Sequence, residues 1–168
     1  TSHTMKLRSN IINSLAIIVV FNPLVGHVRK LVSRLCEQGV SVLLVDNSNK
    51  PISLKKSSRI HFYYIFNNGN YGVGQALNTG MKFGLERGFE NFFCFDQDSN
   101  IGAGFVDNML GARCPGSMVV TPQIVDQKTN VKIPFLAISR KGLPYYHCGE
   151  DAEFKLAITS GILIDAQI

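Results

Sequence analysis

The most constraining feature of this chain is an apolar run at residues 14–21 (SLAIIVVF), which no charged residue interrupts. Runs rich in β-branched residues are typical of strands buried on both faces, as in parallel sheets. Directly afterwards, apolar residues at 24–38 recur at helical spacing, and Gly39 ends that pattern. A second apolar run occupies residues 40–45. The sequence therefore predicts a strand–helix–strand unit.

The same alternation continues along the chain. It predicts, in order, a strand at 60–66, helices at 75–87 and 104–110 separated by a strand at 91–95, and further strands at 118–121, 131–139 and 154–159. The glycines of the 75–87 helix allow it to pack closely on a sheet. This order of elements predicts a three-layer α/β/α sandwich with a mostly parallel sheet.

Composition narrows the classes of protein that fit. Apolar residues make up 45% and charged residues 17% of the 168-residue chain, which is typical of a globular domain. The four cysteines form no C-x-x-C pair and fit no zinc spacing, which indicates a reduced, cytoplasmic protein. The net charge of +5 favours an anionic partner, but no basic stripe is interleaved with aromatics. We therefore expect no nucleic-acid partner.

Polar residues stand where three of the predicted strands end: Asn22, Asp46-Asn47 and Asp96-Gln97-Asp98. In open α/β sheets, ligands bind outside the carboxyl ends of the strands. Asp96 and Asp98 can face one divalent cation, because Mg²⁺ or Mn²⁺ often takes one or two carboxylates together with phosphate oxygens. Asp46 can accept the imino N–H of a pyrimidine base. The sequence therefore predicts a ligand site at this edge.

Each polar cluster also has a purely structural interpretation. D-x-D triplets and Asp46-Asn47-Ser48 are common in turns, and Asn22-Pro23 can cap a helix. The glycine-rich segment 69–74 (GNYGVG) does not fit the dinucleotide fingerprint, and no phosphate-loop motif occurs. A Rossmann dehydrogenase and a P-loop NTPase are therefore disfavoured. A sugar-nucleotide nucleotidyltransferase would need a basic, Gly-rich loop after the first strand, where this chain has NPLVGH.

Five motifs between residues 16 and 164 form a known combination. They are Val20-Phe21-Asn22-Pro23, Val45-Asp46-Asn47-Ser48, Asn68-Gly69-Asn70-x-Gly72-x-Gly74-x-Ala76-x-Asn78-x-Gly80, Phe95-Asp96-Gln97-Asp98 and Ile158-Thr159-Ser160-Gly161. Together they resemble the inverting glycosyltransferases of family 2, and they are most similar to bacterial rhamnosyltransferases that use dTDP-L-rhamnose. The resemblance implies a GT-A fold of the nucleotide-diphospho-sugar transferase type. It also implies rhamnosyl transfer in the synthesis of cell-surface polysaccharide or lipopolysaccharide.

The resemblance also implies a role for each matched residue. Phe21, Asn22, Pro23 and Asp46 would hold the base; Asn70, Gly72, Asn78 and Gln97 would line the rest of the donor site; Asp98 and Asp96 would hold Mn²⁺ or Mg²⁺; and Thr159, Ser160 and Gly161 would border the acceptor. The cation would neutralise the diphosphate leaving group, and a carboxylate base would assist attack by the acceptor hydroxyl.

The implied partners are a dTDP- or UDP-sugar and a saccharide or lipid-linked saccharide acceptor, with peripheral contact at the inner face of the membrane. In the family, the base lies downstream of the I-T-S-G motif, so we expect it beyond Ile168. We expect residues 5–168 to form a single GT-A domain that is incomplete at its C-terminus, and residues 1–4 to be an expression remnant. The alternatives are a non-catalytic nucleotide-sugar-binding module or an inactive fragment.

Overall fold

The computed structural model describes residues 11–54, 62–113, 118–126, 128–132, 135–138, 144–147 and 160–166. Their elements are β1 (Ser14–Val20), α1 (Val25–Glu37), β2 (Ser41–Asp46), β3 (Tyr63–Phe66), α2 (Val73–Leu85), β4 (Asn91–Asp96), α3 (Phe105–Gly111), β5 (Val119–Val120), β6 (Phe135–Ile138), β7 (Pro144–His147) and β8 (Ile162–Asp165). Helices cover both faces of the main sheet.

The main sheet has the strand order β3-β2-β1-β4-β8-β5. Strands β1 to β4 pair in parallel, whereas β8 is antiparallel to both β4 and β5. The predicted α/β class with a mostly parallel sheet is therefore confirmed, and it is consistent with the GT-A type. The chain passes outward from β1 to β2 and β3 and then returns to β4 on the other side of β1. This reversal places a topological switch point between β1 and β4, where such sheets bind ligands.

Strand β1 is central, and all of its residues are buried. Ala16, Ile18 and Val20 pack on the face that α1 and α3 cover. The alternate residues of β1 pack on the opposite face, together with Ala76 of α2. Because each face has its own apolar layer, residues 15–20 of β1 are apolar on both faces. The two-sided burial explains why the apolar run in the sequence has no alternation.

Helix α2 lies unusually close to the sheet because glycines face it. A Cβ atom placed on Gly80 would lie 2.6 Å from Cγ2 of Ile17. A Cβ atom on Gly84 would overlap the ring of Phe92 and come within 2.9 Å of Leu15. The close packing predicted for this helix is therefore confirmed, and it leaves no room for a methyl group at either position.

Several predicted boundaries differ from the structure. The helix predicted at 75–87 is α2, which begins and ends two residues earlier, between the left-handed glycines Gly72 and Gly88. Within the strand predicted at 131–139, the structure describes β6, which pairs antiparallel with the unpredicted β7. Strand β8 was also not predicted, and the strand predicted at 154–159 lies outside the described residues. In the described ranges, no helix combines the length and apolar composition needed to cross a bilayer.

Substituting Gly80 with alanine tests the close packing of α2. We expect Gly80→Ala to lower the free energy of unfolding by about 1–3 kcal/mol, because the added methyl group must displace Ile17. Gly26 of α1 is the matched control, since a Cβ there meets nothing within 4 Å and alanine favours a helix. Urea denaturation measures both variants. Equal stability of Gly80→Ala and Gly26→Ala would contradict the packing described here.

Candidate functional site

The loops that follow β1, β2 and β4 are joined by hydrogen bonds at the carboxyl edge of the sheet. The backbone N–H of Phe21 donates to Oε1 of Gln97 at 2.7 Å, which spans the switch point between β1 and β4. The backbone N–H of Asn22 donates to Oγ of Ser48 at 2.8 Å, which joins the ends of β1 and β2. The polar clusters that the sequence placed at three strand ends therefore do meet at one edge.

The carboxylate of Asp46 is fully buried at the centre of this edge. Its Oδ1 accepts the backbone N–H of Ser48 at 2.9 Å. Its Oδ2 accepts the backbone N–H of Ile52 at 3.0 Å and the hydroxyl of Tyr64 at 2.5 Å. Burial alone would raise the pKa of Asp46, but hydrogen bonds from Ser48, Tyr64 and Ile52 outweigh it and hold that pKa below its ordinary value. Burial and the Asp46 charge raise the pKa of Tyr64.

This arrangement bears on the base contact predicted for Asp46. A carboxylate offers about four acceptor positions, and the Ser48 and Ile52 amides and the Tyr64 hydroxyl fill three of them. The Ser48 hydroxyl also hydrogen-bonds to the Asp46 side chain. The imino group of a base would therefore have to replace one of these donors. Asp46 organises the edge through these hydrogen bonds.

Asn47 connects the same edge to the segment that precedes α2. Its side chain is buried, with Oδ1 accepting from Nδ2 of Asn67 at 2.7 Å and Nδ2 donating to the carbonyl of Gly72 at 3.1 Å. The backbone N–H of Gly72 donates to Oδ1 of Asn70 at 3.1 Å. The structure therefore brings Asn70 and Gly72 to the edge. Asn78 is exposed two residues from the buried Ala76 and Gly80, so it lies on the opposite face of α2.

The two carboxylates predicted to hold a metal follow one another out of β4. Asp96 is half-buried at the end of the strand, and Asp98 is exposed. The backbone N–H of Ser99 donates to the carbonyl of Asp96 at 3.1 Å, which closes the turn that carries Asp98. Among the described residues, no group of three or more His, Cys, Asp or Glu side chains could hold a metal. Two carboxylates nevertheless fit Mg²⁺ or Mn²⁺ when substrate phosphates supply further ligands.

Ser160 and Gly161, predicted on the acceptor side, lie in a turn before β8, not in a strand. The hydroxyls of Ser160 and Ser99 are hydrogen-bonded at 2.6 Å, and the N–H of Gly161 donates to the Cys94 carbonyl at 2.7 Å. This turn lines a cavity of about 450 Å³ together with Phe105. The predicted Thr159 lies outside the described residues. Ser160 and Gly161, two residues predicted on the acceptor side, therefore border a cavity that begins at Ser99, directly after the D-x-D triplet.

The sequence predicted no role for four side chains that lie at the edge or beside it. Tyr64 lies in β3 and donates to Asp46. Asn67 directly follows β3 and donates to Asn47. Arg34 and Gln38, at the end of α1, bind the segment that follows Asp98. Helical or strand periodicity gives the direction of such side chains but not their distant partners, so the sequence carries no signal for these contacts.

The parallel sheet, its switch point and this polar edge together define an α/β protein of a kind consistent with a GT-A nucleotide-sugar transferase. No protein-family model matches the chain. A curated relative, the dTDP-rhamnosyl transferase RfbF of Shigella flexneri, is 28% identical in a match that covers 93% of this chain. The chain spans 55% of the length of that relative. The chain is thus similar to a glycosyltransferase of the rhamnosyltransferase kind, as its motifs indicated.

The pH dependence of stability tests the role of Asp46. The lowered pKa means that the Asp46 carboxylate stabilises the fold above its unfolded value of 3.8, and that this contribution is lost as pH falls through the folded value. We expect Asp46→Asn to lower the free energy of unfolding at pH 7 by at least about 2 kcal/mol, because hydrogen bonds to a charged acceptor are lost. Below pH 3.8, the difference in the free energy of unfolding between Asp46→Asn and the unsubstituted chain should narrow.

Urea denaturation across this pH range measures the effect. Glu86→Gln is the control, because Glu86 is an exposed carboxylate at the end of α2. A gap between Asp46→Asn and the unsubstituted chain that stays constant down to acid pH would show that the Asp46 charge does not stabilise the fold.

Proposed function

We propose that this chain is the donor-binding part of a metal-dependent, inverting rhamnosyltransferase that uses dTDP-L-rhamnose. The observation that carries the proposal is the hydrogen-bonded edge, which places Phe21, the Asp46 carboxylate and the D-x-D turn around one switch point. The similarity to a curated relative named as a dTDP-rhamnosyl transferase supports the choice of donor. The proposed acceptor is a saccharide or lipid-linked saccharide of a bacterial surface polysaccharide or lipopolysaccharide. The basic net charge of +5 suits work at an acidic inner membrane surface.

The base end of the donor is assigned to the β1–β2 side of the edge. Phe21 is 42% exposed and its backbone N–H is held by Gln97, so it presents an aromatic side chain from an anchored backbone. A pyrimidine can stack on such a side chain, and stacking tolerates either thymine or uracil. The imino N–H of the base would then replace one of the present donors to the buried Asp46 carboxylate, which the remaining hydrogen bonds would keep anionic.

The diphosphate end is assigned to the turn that carries Asp96 and Asp98. A bound Mn²⁺ or Mg²⁺ would stabilise the negative charge that develops on the leaving diphosphate. The exposed Asp98 is the more accessible ligand, and the half-buried Asp96 is the second. The cavity beside Ser99 and Ser160 is the proposed position of the acceptor.

No general base is assigned among the described residues. Asp126 lines the acceptor cavity, but hydrogen bonds from the amide and hydroxyl of Thr129 and the amide of Lys128 lower its pKa. A carboxylate with a lowered pKa is a weak base, since its affinity for the acceptor proton is reduced. Asp126 is therefore better explained as the first residue of a turn.

Nucleotide selectivity tests the base end. We expect dTDP and UDP to bind more tightly than ADP and GDP in calorimetric titrations. Phe21→Ala should weaken dTDP binding by roughly 5- to 150-fold, because base stacking contributes about 1–3 kcal/mol. Leu24→Ala is the control, since Leu24 is a neighbouring apolar side chain that is 72% exposed. Preference for a purine nucleotide, or equal effects of the two substitutions, would refute this assignment.

Metal dependence tests the diphosphate end. We expect Mn²⁺ or Mg²⁺ to raise the affinity for dTDP, and Asp98→Ala to remove that increase, because the exposed Asp98 carboxylate would hold the cation. The fold should be retained, since Asp98 is exposed outside the core. Asp107→Ala, an exposed carboxylate of α3, is the matched control. An unchanged metal effect in Asp98→Ala would rule out Asp98 as the ligand.

A further inference from the structure

The segment that follows β4, residues 97–104 and here termed the post-strand loop, is held by side chains from the end of α1. Nη1 of Arg34 donates to the carbonyl of Ile101 at 2.7 Å and also to Oδ1 of Asn100. These partners lie 66 and 67 residues away in the sequence. One guanidinium group therefore fixes two consecutive residues of the loop.

Gln38 holds the end of the post-strand loop and the start of α3. Its Nε2 donates to the carbonyl of Gly102 at 3.2 Å, and its Oε1 accepts the backbone N–H of Val106 at 3.0 Å. The first N–H groups of a helix have no partner within that helix. Gly104, the N-cap of α3, has no side chain to supply one. Gln38 therefore caps α3 from a different helix.

The beginning of the post-strand loop is also fixed. The side chain of Gln97 accepts the N–H of Phe21, and Ser99 is bound to the Asp96 carbonyl and to the Ser160 hydroxyl. Ile101, in the middle of the loop, is buried in the core. Asp98 is thus an exposed carboxylate in a segment that is anchored on both sides.

We propose that Arg34 and Gln38 are positioning residues that hold the post-strand loop so that Asp98 meets the metal-bound diphosphate of the donor. The inference rests on the proposed function, and it adds residues that do not touch the ligand. A free loop would have to be ordered when the ligand binds, and that ordering costs free energy. The contacts from α1 have already ordered the loop, so this cost does not reduce the affinity.

The test separates positioning from general stability by measuring dTDP affinity with and without Mn²⁺. Arg34→Met should lower the Mn²⁺-dependent increase in affinity by about tenfold, as loss of a supporting contact typically lowers metal affinity 10- to 100-fold. The affinity without metal should fall much less, because Arg34 binds Asn100 and Ile101 and the separate contact of Gln97 with Phe21 remains. Arg34→Lys should restore part of the increase, since lysine can still donate to one of the two acceptors.

Lys30→Met is the matched control, because it removes a positive charge from an exposed position of the same helix. It should leave both affinities unchanged. Gln38→Glu is the second variant: it keeps the acceptor for Val106 but loses the donor to Gly102, and it should give a smaller loss than Arg34→Met. Amide hydrogen exchange should rise at residues 99–106 in Arg34→Met and remain unchanged in β1 and β2.

The outcomes that overturn the inference are distinct. An unchanged Mn²⁺ effect in Arg34→Met and Gln38→Glu would overturn it while leaving the proposed function intact. An equal loss of affinity with and without Mn²⁺ would show a general loss of stability instead of positioning, and would also overturn it. Absence of any Mn²⁺ effect in the unsubstituted chain would overturn the proposed metal role and this inference with it.

Discussion

The buried carboxylate of Asp46 is the interaction on which the functional edge depends. Removing an anion from water costs several kcal/mol unless hydrogen bonds replace the lost solvation. Here the replacement comes from Ser48 and Ile52 in the loop after β2 and from Tyr64 in β3. Satisfying one charge therefore fixes the loop after β2 against β3. Ser48 extends the effect to the loop after β1 through Asn22.

The apolar sheet makes this polar arrangement possible. Because β1 is buried on both faces, its end is held in register with the ends of β2 and β4, where Val20 pairs with Asp46 and Val19 pairs with Asp96. The glycines of α2 bring that helix close to the sheet, and the helix begins beside Gly72, whose carbonyl binds Asn47. Packing thus sets the positions between which the hydrogen bonds form.

Much of the fold could be predicted because its longest elements have a clear apolar period. Strands β1, β2 and β4 and helix α1 lie where their apolar patterns indicated, and the polar ends of the strands indicated the edge. The short strands β7 and β8 could not be predicted, since a few residues show no period and their pairing depends on distant segments. The same reason applies to side chains whose partners lie between 18 and 68 residues away: Tyr64, Asn67, Arg34 and Gln38.

Gln97, the middle residue of the D-x-D triplet, has a structural role that the two carboxylates do not share. Its Oε1 is bound to the backbone of Phe21, so the residue between the two carboxylates also forms the bridge across the switch point. Whatever restricts the motion of Phe21 also restricts the turn that carries Asp98. Such coupling is reciprocal: ordering Phe21 lowers the entropy cost of ordering the Asp98 turn, and ordering that turn lowers the entropy cost of ordering Phe21. The two ends of a ligand bound along this edge would therefore bind cooperatively, through one hydrogen bond that neither end contacts.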